Sequence, residues 1–142
     1  MILKPFDKDR HYPELAAVWK HHDCLPCPLS FLPKTGYVME CPDGTFIAAL
    51  FMYIDPGSVA FVTWAVGAIN ADPEQKTEAF ALLFQALKER AIACKCTFIY
   101  SVTPTPAYMK RLESWGMIPV ETNMSSYVMP LCQDETVDFL KD

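Results

Sequence analysis

Three β-rich runs separated by two short turns constrain the fold more than any other feature of this chain. The runs are Gly36–Glu40, Phe46–Ile54 and Val59–Val66. Pro42-Asp43-Gly44 and Asp55-Pro56-Gly57 supply turn residues between them, so the pattern predicts an antiparallel meander. The middle run is apolar almost throughout, which is typical of a central strand covered on both faces. The sequence therefore predicts a sheet at the centre of the fold.

Elements predicted before the meander are a strand at Ile2–Phe6, a helix and a loop. Pro13 suits the first turn of that helix, and its apolar stripe falls at i, i+3, i+4 and i+7. The residues of the stripe are Leu15, Val18, Trp19 and His22. Three prolines from residue 26 to residue 33 forbid a continuous helix there, so this segment is predicted as a rigid apolar loop.

Elements predicted after the meander begin with a long helix from Asp72 to about Ala93. Asp72 can cap it, and Pro73 fits its first position. A strand at Thr97–Val102, a helix from about Pro106 to Trp115 and a closing hairpin from Val120 to Met129 follow. The order is β-α-(loop)-β-β-β-α-β-α-β-β, an α/β fold with a mixed sheet. We expect one domain over residues 1–142, with a polar tail at residues 134–142.

Charge and apolar content exclude several classes of function. The 142 residues carry 12 Lys and Arg against 17 Asp and Glu, a net charge of −5, which argues against a nucleic-acid partner. Met1–Arg10 lacks the layout of a signal peptide, and the apolar runs are far shorter than the about 20 residues of a membrane helix. We therefore expect a cytoplasmic protein with reduced cysteines and no membrane partner.

The element order and four segments carry a resemblance to the GNAT superfamily of acyl-CoA-dependent N-acetyltransferases. The segments are Phe61–Val66, the Asp72–Ala93 helix, Thr97–Val102 and Tyr108–Met117. Leu32-Pro33-Lys34-Thr35-Gly36-Tyr37 is similar to the entry of the second strand in GNAT-like proteins of phages and prophages. The resemblance implies a GNAT-like mixed sheet in which strands 4 and 5 splay apart.

This resemblance also implies a site for acetyl-CoA between those two strands. The backbone at Ala65, Val66 and Gly67 would bind the pantetheine amides, and Gln75 and Lys76 would hold the cofactor at the start of the long helix. The glycines of the family's pyrophosphate loop are missing here. Three carboxylates crowd the helix start instead, and only Lys76 opposes them. They belong to Asp72, Glu74 and Glu78.

The catalytic positions implied by the resemblance are only partly filled. Many family members use a tyrosine four residues before the glycine that ends the last helix, and that position is Leu112 here. Tyr108 lies one turn earlier on the same face and is the candidate acid, with a packing residue as the alternative interpretation. The resemblance implies a carboxylate base on the fourth strand, but Val59–Val66 contains no Asp, Glu or His. Glu40 on the second strand is therefore the candidate base. The alternative interpretation is that Glu40 is an exposed strand carboxylate.

Two further groups of residues have open interpretations. His21, His22, Cys24 and Cys27 could form a small zinc module, but one Cys-x-x-Cys is weak evidence, so no metal is predicted. The loop at residues 25–32 carries Leu29, Phe31 and Leu32, which could line an acceptor pocket, cap the core or contact a protein partner. Lys110-Arg111 is predicted to be a solvated helix face.

Two functions follow from these observations. The first is transfer of an acetyl group from acetyl-CoA to a small-molecule or protein amine, by direct attack of the amine. The second is a catalytically silent GNAT-fold protein that acts as a binding or assembly component. Such a protein could be phage-encoded, and would then lie in the host cytoplasm or the virion.

Overall fold

The computed structural model describes residues 1–129 and 131 of the chain. Over these residues it contains five strands and three helices. In chain order they are β1 (Ile2–Pro5), α1 (Lys8–His21), β2 (Thr35–Glu40), β3 (Phe46–Ile54), β4 (Val59–Gly67), α2 (Pro73–Ala93), β5 (Phe98–Tyr100) and α3 (Pro106–Ser114). The predicted order is thus confirmed from the first strand to the last helix.

The five strands form one mixed sheet in the order β1-β2-β3-β4-β5. The first four pair antiparallel, and β5 pairs parallel to β4. Antiparallel neighbours need only the two short turns of the meander, whereas the parallel pair needs a crossover, which α2 provides. The predicted α/β class and mixed sheet are confirmed.

The sheet is covered by a helix on each face, as the apolar β3 predicts. On one face Leu83 and Leu87 of α2 belong to the core cluster that contains Leu50 and Val62. On the other face Leu15 and Trp19 of α1 belong to the cluster that contains Phe51. Residues 46–52 of β3 are all buried because both clusters draw on this strand.

Two predicted elements differ from the structure. The strand expected at Thr97–Val102 pairs with β4 over only three residues. The closing hairpin expected from Val120 to Met129 is absent from the described residues, where Val120 is 77% exposed and Tyr127 is 92% exposed. Alternating apolar residues form a strand only when another strand offers them an edge and a face to cover. The tail predicted at residues 134–142 lies outside the described residues.

A search of the described residues for membrane-spanning helices gives a negative result. None of the three helices combines the length and the apolar content that a bilayer crossing requires.

Candidate functional site

A cleft opens where β4 and β5 part. Their pairing covers only Val59–Phe61 of β4 against Phe98–Tyr100 of β5, while β4 runs on to Gly67. The separation leaves a cavity of about 360 Å³ between the end of β4, the start of α2, α3 and the segment after β5. The predicted splaying of strands 4 and 5 is confirmed.

A bulge in β4 forms one wall of this cavity. Ala49 pairs with Val66, but two residues later Phe51 pairs with Thr63, so β4 contains one extra residue. Trp64 lies at this irregularity with φ of 55°, in the left-handed region that a bulky side chain rarely adopts. Thr63, Trp64 and Ala65 all line the cavity. Backbone strain of this kind concentrates at functional sites.

The residues predicted to bind the cofactor divide between the cavity and its surroundings. Ala65, Gly67 and Lys76 line the cavity. Val66 is 2% exposed and belongs to the core cluster on the α1 face. The Gln75 side chain is directed to the residue that follows β2, where its Nε2 lies 3.7 Å from the Cys41 Sγ. Three of the five predicted residues therefore line the cavity.

Gly67 permits the close approach of α2 to the end of β4. A Cβ at this position would lie 3.1 Å from Cδ of Lys76 and 3.4 Å from the ring of Phe80. Any larger residue would therefore displace the two α2 side chains that line the same cavity. The bare backbone of Gly67 keeps the strand end open to the cavity.

The cavity is electropositive. Lys76 from α2 and Arg111 from α3 both line it, and none of its described lining residues is Asp or Glu. The Arg111 guanidinium lies 4.6 Å from the centre of the Phe80 ring, a cation–π contact that orients it. Arg111 was predicted to be solvated helix face, and this interpretation is wrong. Its position three residues after Tyr108 was the available signal, because residues i and i+3 share a helix face.

The start of α2 offers little to an anion. Pro73 has no N–H, and the Asp72 carboxylate accepts the N–H of Gln75 at 3.1 Å. Two of the first three helix positions therefore have no amide hydrogen available for a phosphate. Glu74 adds a negative charge in the same turn. An anion in this cavity would depend on the side chains of Lys76 and Arg111.

Tyr108 lies on the cavity wall with its hydroxyl buried. That hydroxyl has no hydrogen-bond partner among the described residues. Its ring packs edge-on against Trp115, 6.0 Å between centroids. Burial raises the pKa of the Tyr108 phenol and outweighs the opposing effect of the Arg111 charge, so the group stays protonated. Leu112, at the family's tyrosine position, is buried in the core.

The alternative interpretation of Glu40, an exposed strand carboxylate, is wrong because the residue is only 1% exposed. His11 Nε2 lies 2.7 Å from one carboxylate oxygen, and Lys4 and Arg10 donate to the other at 3.0 and 2.8 Å. His11 Nδ1 accepts the Asp7 N–H, so the ring proton lies on Nε2 and is donated to Glu40.

Those three partners also decide the ionisation of Glu40. Burial alone would raise its pKa, but the bonds from His11 and Lys4 and the charge of Arg10 hold the pKa below its usual value. Glu40 is absent from the residues that line the cavity. Its contacts instead join β1, α1 and β2.

The four residues of the suggested zinc module do not form one cluster. The rings of His21 and His22 are in contact, 5.1 Å between centroids, and both side chains are exposed. Cys24 is also exposed, whereas Cys27 is fully buried. Burial raises the pKa of the Cys27 thiol to about 12, which disfavours the thiolate that zinc requires. Within the described part of the chain, no three His, Cys, Asp or Glu side chains form a candidate metal site.

His22 lies in a different place from the one predicted. α1 ends at His21, so His22 is the C-cap residue and leaves the helical stripe. The stripe keeps Leu15, Val18 and Trp19, which are buried. The His22 side chain is exposed and lines the cavity. Periodicity could not reveal this because the end of the helix was misjudged by one residue.

The loop at residues 25–32 combines core and surface roles. Leu32 is buried in the α1-side cluster, and Leu29 is 45% exposed. Phe31 packs edge-on against Trp64 of the bulge, 5.9 Å between centroids. The loop is held by Tyr12, which donates to the Cys27 carbonyl at 2.8 Å, and by Tyr53, which donates to the Phe31 carbonyl. It thus caps the core and lies beside the cleft.

Comparisons with known proteins rest on structure alone. No protein-family model matches the chain, and no curated protein is similar to it in sequence. One similar structure is a protein of Agrobacterium tumefaciens str. C58 whose name assigns it to the acetyltransferases. It is 16% identical, with a TM-score of 0.69, over 90% of this chain and 100% of the other.

Two further structures have the same architecture. An acetyltransferase of Trypanosoma brucei is 17% identical, with a TM-score of 0.64, over 89% of this chain and 99% of the other. The glucosamine-6-phosphate N-acetyltransferase of Arabidopsis thaliana is 11% identical, with a TM-score of 0.63, over 89% of this chain and 97% of the other. Together with the splayed strands β4 and β5, these likenesses show that the chain has the GNAT-like fold.

Proposed function

We propose that this protein is an N-acetyltransferase that moves an acetyl group from acetyl-CoA to an amine. The observation that carries the proposal is the Tyr108 hydroxyl, which is buried on the cavity wall and has no partner among the described residues. A buried polar atom without a partner is costly for folding, by about 1–3 kcal/mol. Proteins tolerate this cost in free energy where a bound molecule supplies the missing hydrogen-bond partner.

The charge of the cavity lining supports acetyl-CoA as the ligand. Lys76 and Arg111 would bind its phosphates, in place of the glycine loop that the sequence lacks. The end of β4 at Ala65 and Gly67 would lie along the pantetheine. Asp72 and Glu74 at the start of α2 oppose phosphate binding, so the two cationic side chains have to outweigh them.

The chemistry requires one proton donor from the protein. The thioester supplies an activated carbonyl carbon, to which the amine nitrogen forms its new bond as the carbon–sulfur bond breaks. Tyr108 would donate its proton to the departing sulfur. Its raised pKa means that the phenol carries the proton before the reaction.

The test combines binding with turnover. Calorimetry with acetyl-CoA should show saturable binding to the wild-type protein, and Tyr108→Phe should bind with similar affinity but turn over about 100-fold more slowly with a reactive amine. Tyr108→Phe should also be more stable by about 1 kcal/mol, because the unpartnered hydroxyl is removed. Tyr127→Phe is the matched control, since Tyr127 is 92% exposed. A folded protein that binds no acetyl-CoA at millimolar concentration would contradict the proposal.

A second candidate function is binding or assembly without catalysis. Large apolar side chains of β5 and the segment after α3 are unusually exposed, namely Phe98 at 74%, Ile118 at 81%, Val120 at 77% and Tyr127 at 92%. Exposed apolar patches of this kind mark contacts with other proteins. The resemblance to phage proteins would make the partner a phage or host protein. A negative acetyl-CoA titration together with concentration-dependent association through these residues would favour this role.

A further inference from the structure

His22 is the one histidine among the described residues that line the cavity. Histidine is the side chain that enzymes use most often as a general base. The other side chains of that lining with an acidic or basic group are Lys76, Tyr108 and Arg111. Burial raises the pKa of the Tyr108 phenol, so this group keeps its proton.

His22 and Tyr108 reach the same cavity from different elements, so one can accept a proton while the other donates one. His22 comes from the C-terminal end of α1, whereas Tyr108 comes from α3, and both line the same cavity. Thr63, Trp64, Ala65 and Gly67 of β4 line the cavity as well. Amines are protonated at neutral pH, so an acceptor amine must lose a proton before its nitrogen can attack. No carboxylate of the described lining can take that proton.

We propose that His22 is the general base that takes this proton from the acceptor amine. The inference rests on the proposed acetyl transfer. The ammonium gives one proton to a ring nitrogen of His22, and the freed nitrogen lone pair forms the bond to the carbonyl carbon. The carbon–sulfur bond breaks as the sulfur takes the Tyr108 proton. The nitrogen then loses its second proton, which restores the Tyr108 phenol directly or through water and leaves a neutral amide. The His22 imidazolium gives its proton to solvent, so each turnover releases one proton.

The electrostatic surroundings of His22 define the expected pH dependence. Lys76 and Arg111 face the cavity, and His21 and Asp23 flank His22 in the chain. Asp23 is exposed, with φ of 55°. The pH profile of the rate should depend on His22 and not on His21, although the two rings are in contact.

The kinetic test compares His22→Gln with His21→Gln, using acetyl-CoA and benzylamine as substrates. His22→Gln should lower kcat about 100-fold or more and change the pH profile of kcat, while acetyl-CoA affinity measured by calorimetry stays unchanged. His21→Gln should keep both the rate and the pH profile. Circular dichroism checks that each variant is folded.

A second measurement does not depend on turnover. Diethyl pyrocarbonate modifies accessible histidines, and mass spectrometry reports each site separately. Bound acetyl-CoA should protect His22 and leave the modification rate of His21 unchanged. If acetyl-CoA leaves the modification rate of His22 unchanged, as it does that of His21, the placement of His22 at the site is wrong.

The outcomes separate the two proposals. If the wild-type protein binds and turns over acetyl-CoA but His22→Gln keeps the rate and the pH profile, the inference is wrong and the proposed function stands. If the wild-type protein binds no acetyl-CoA, the proposed function is wrong and the inference is overturned with it.

Discussion

Replacing Glu40 with glutamine should destabilise the protein strongly. The Glu40 carboxylate is 1% exposed and accepts hydrogen bonds from His11, Lys4 and Arg10. A glutamine oxygen at the Oε2 position can still accept from Lys4 and Arg10. The amide NH₂ group would then face the His11 Nε2–H, so the buried bond to His11 is lost and the other two bonds lose the carboxylate charge.

The decrease in the free energy of unfolding depends on how exposed the partners of Glu40 are. Each charge-assisted bond contributes about 1.5–3 kcal/mol. Lys4 and Arg10 are 37% and 49% exposed, so both recover part of this from water when the carboxylate is gone. We expect a net loss of about 2–3 kcal/mol, below the 3–5 kcal/mol typical of a fully buried pair. For a chain of this size, the melting temperature should fall by roughly 5–10 °C.

The assay is urea unfolding followed by circular dichroism, from pH 7 down to pH 4. The pKa of Glu40 is lowered in the folded protein, so its contribution is full above the ordinary pKa of a glutamate and is lost as the pH falls through the folded-state value. The stability difference between the wild-type protein and Glu40→Gln should therefore narrow on acidification. Glu14→Gln, at an exposed position of α1, is the control and should change stability by less than about 0.5 kcal/mol.

Two results would refute this reasoning. One is a loss at pH 7 no larger than that of the Glu14 control, which would mean that the three bonds do not stabilise the fold. The other is a difference that stays constant even when unfolding is followed below pH 4, through the lowered folded-state pKa of Glu40, which would mean that the carboxylate charge is not its source.

Three further predictions concern α2, the cavity and the sheet. Asp72→Ala should cost about 1 kcal/mol in urea unfolding through loss of the helix cap, yet raise acetyl-CoA affinity about two- to fivefold in calorimetry, because a charge is removed and the Gln75 N–H is freed. Arg111→Gln should weaken acetyl-CoA binding roughly 5- to 30-fold, while Lys110→Gln, one residue outside the cavity lining, should not. Gly36→Ala should lower the free energy of unfolding by about 1–3 kcal/mol, because its Cβ would overlap the Phe51 ring; unchanged stability would show that this ring can move aside.

Local patterns were sufficient to predict most of the fold. The turns at residues 42–44 and 55–57 determine their own backbone, so the meander could be predicted without knowing its neighbours. The start of α2 was predictable for the same reason, since Asp72 caps the helix through an atom only three residues away. The prediction of a hairpin from Val120 to Met129 was wrong because an alternation of apolar and polar residues does not by itself supply a partner strand.

The candidate site was predictable only in part. The resemblance located the cavity at the end of β4, and Lys76 and Tyr108 do line it. Arg111 and His22 were assigned to other roles. Each of them reaches the cavity only because the end of α1 and the helix α3 both lie beside the end of β4, which no local pattern reveals.

By itself, the sequence determined the order of strands and helices, the turns between them and the negative net charge, because these depend on residues close together in the chain. Tertiary structure alone decided the chemistry. Glu40 became a buried ionic centre through partners 29 to 36 residues away. The cavity arose because β5 follows β4 for only three residues. Its electropositive lining was assembled from separate elements, and charge within a cleft depends on which side chains meet there rather than on the composition of the whole chain.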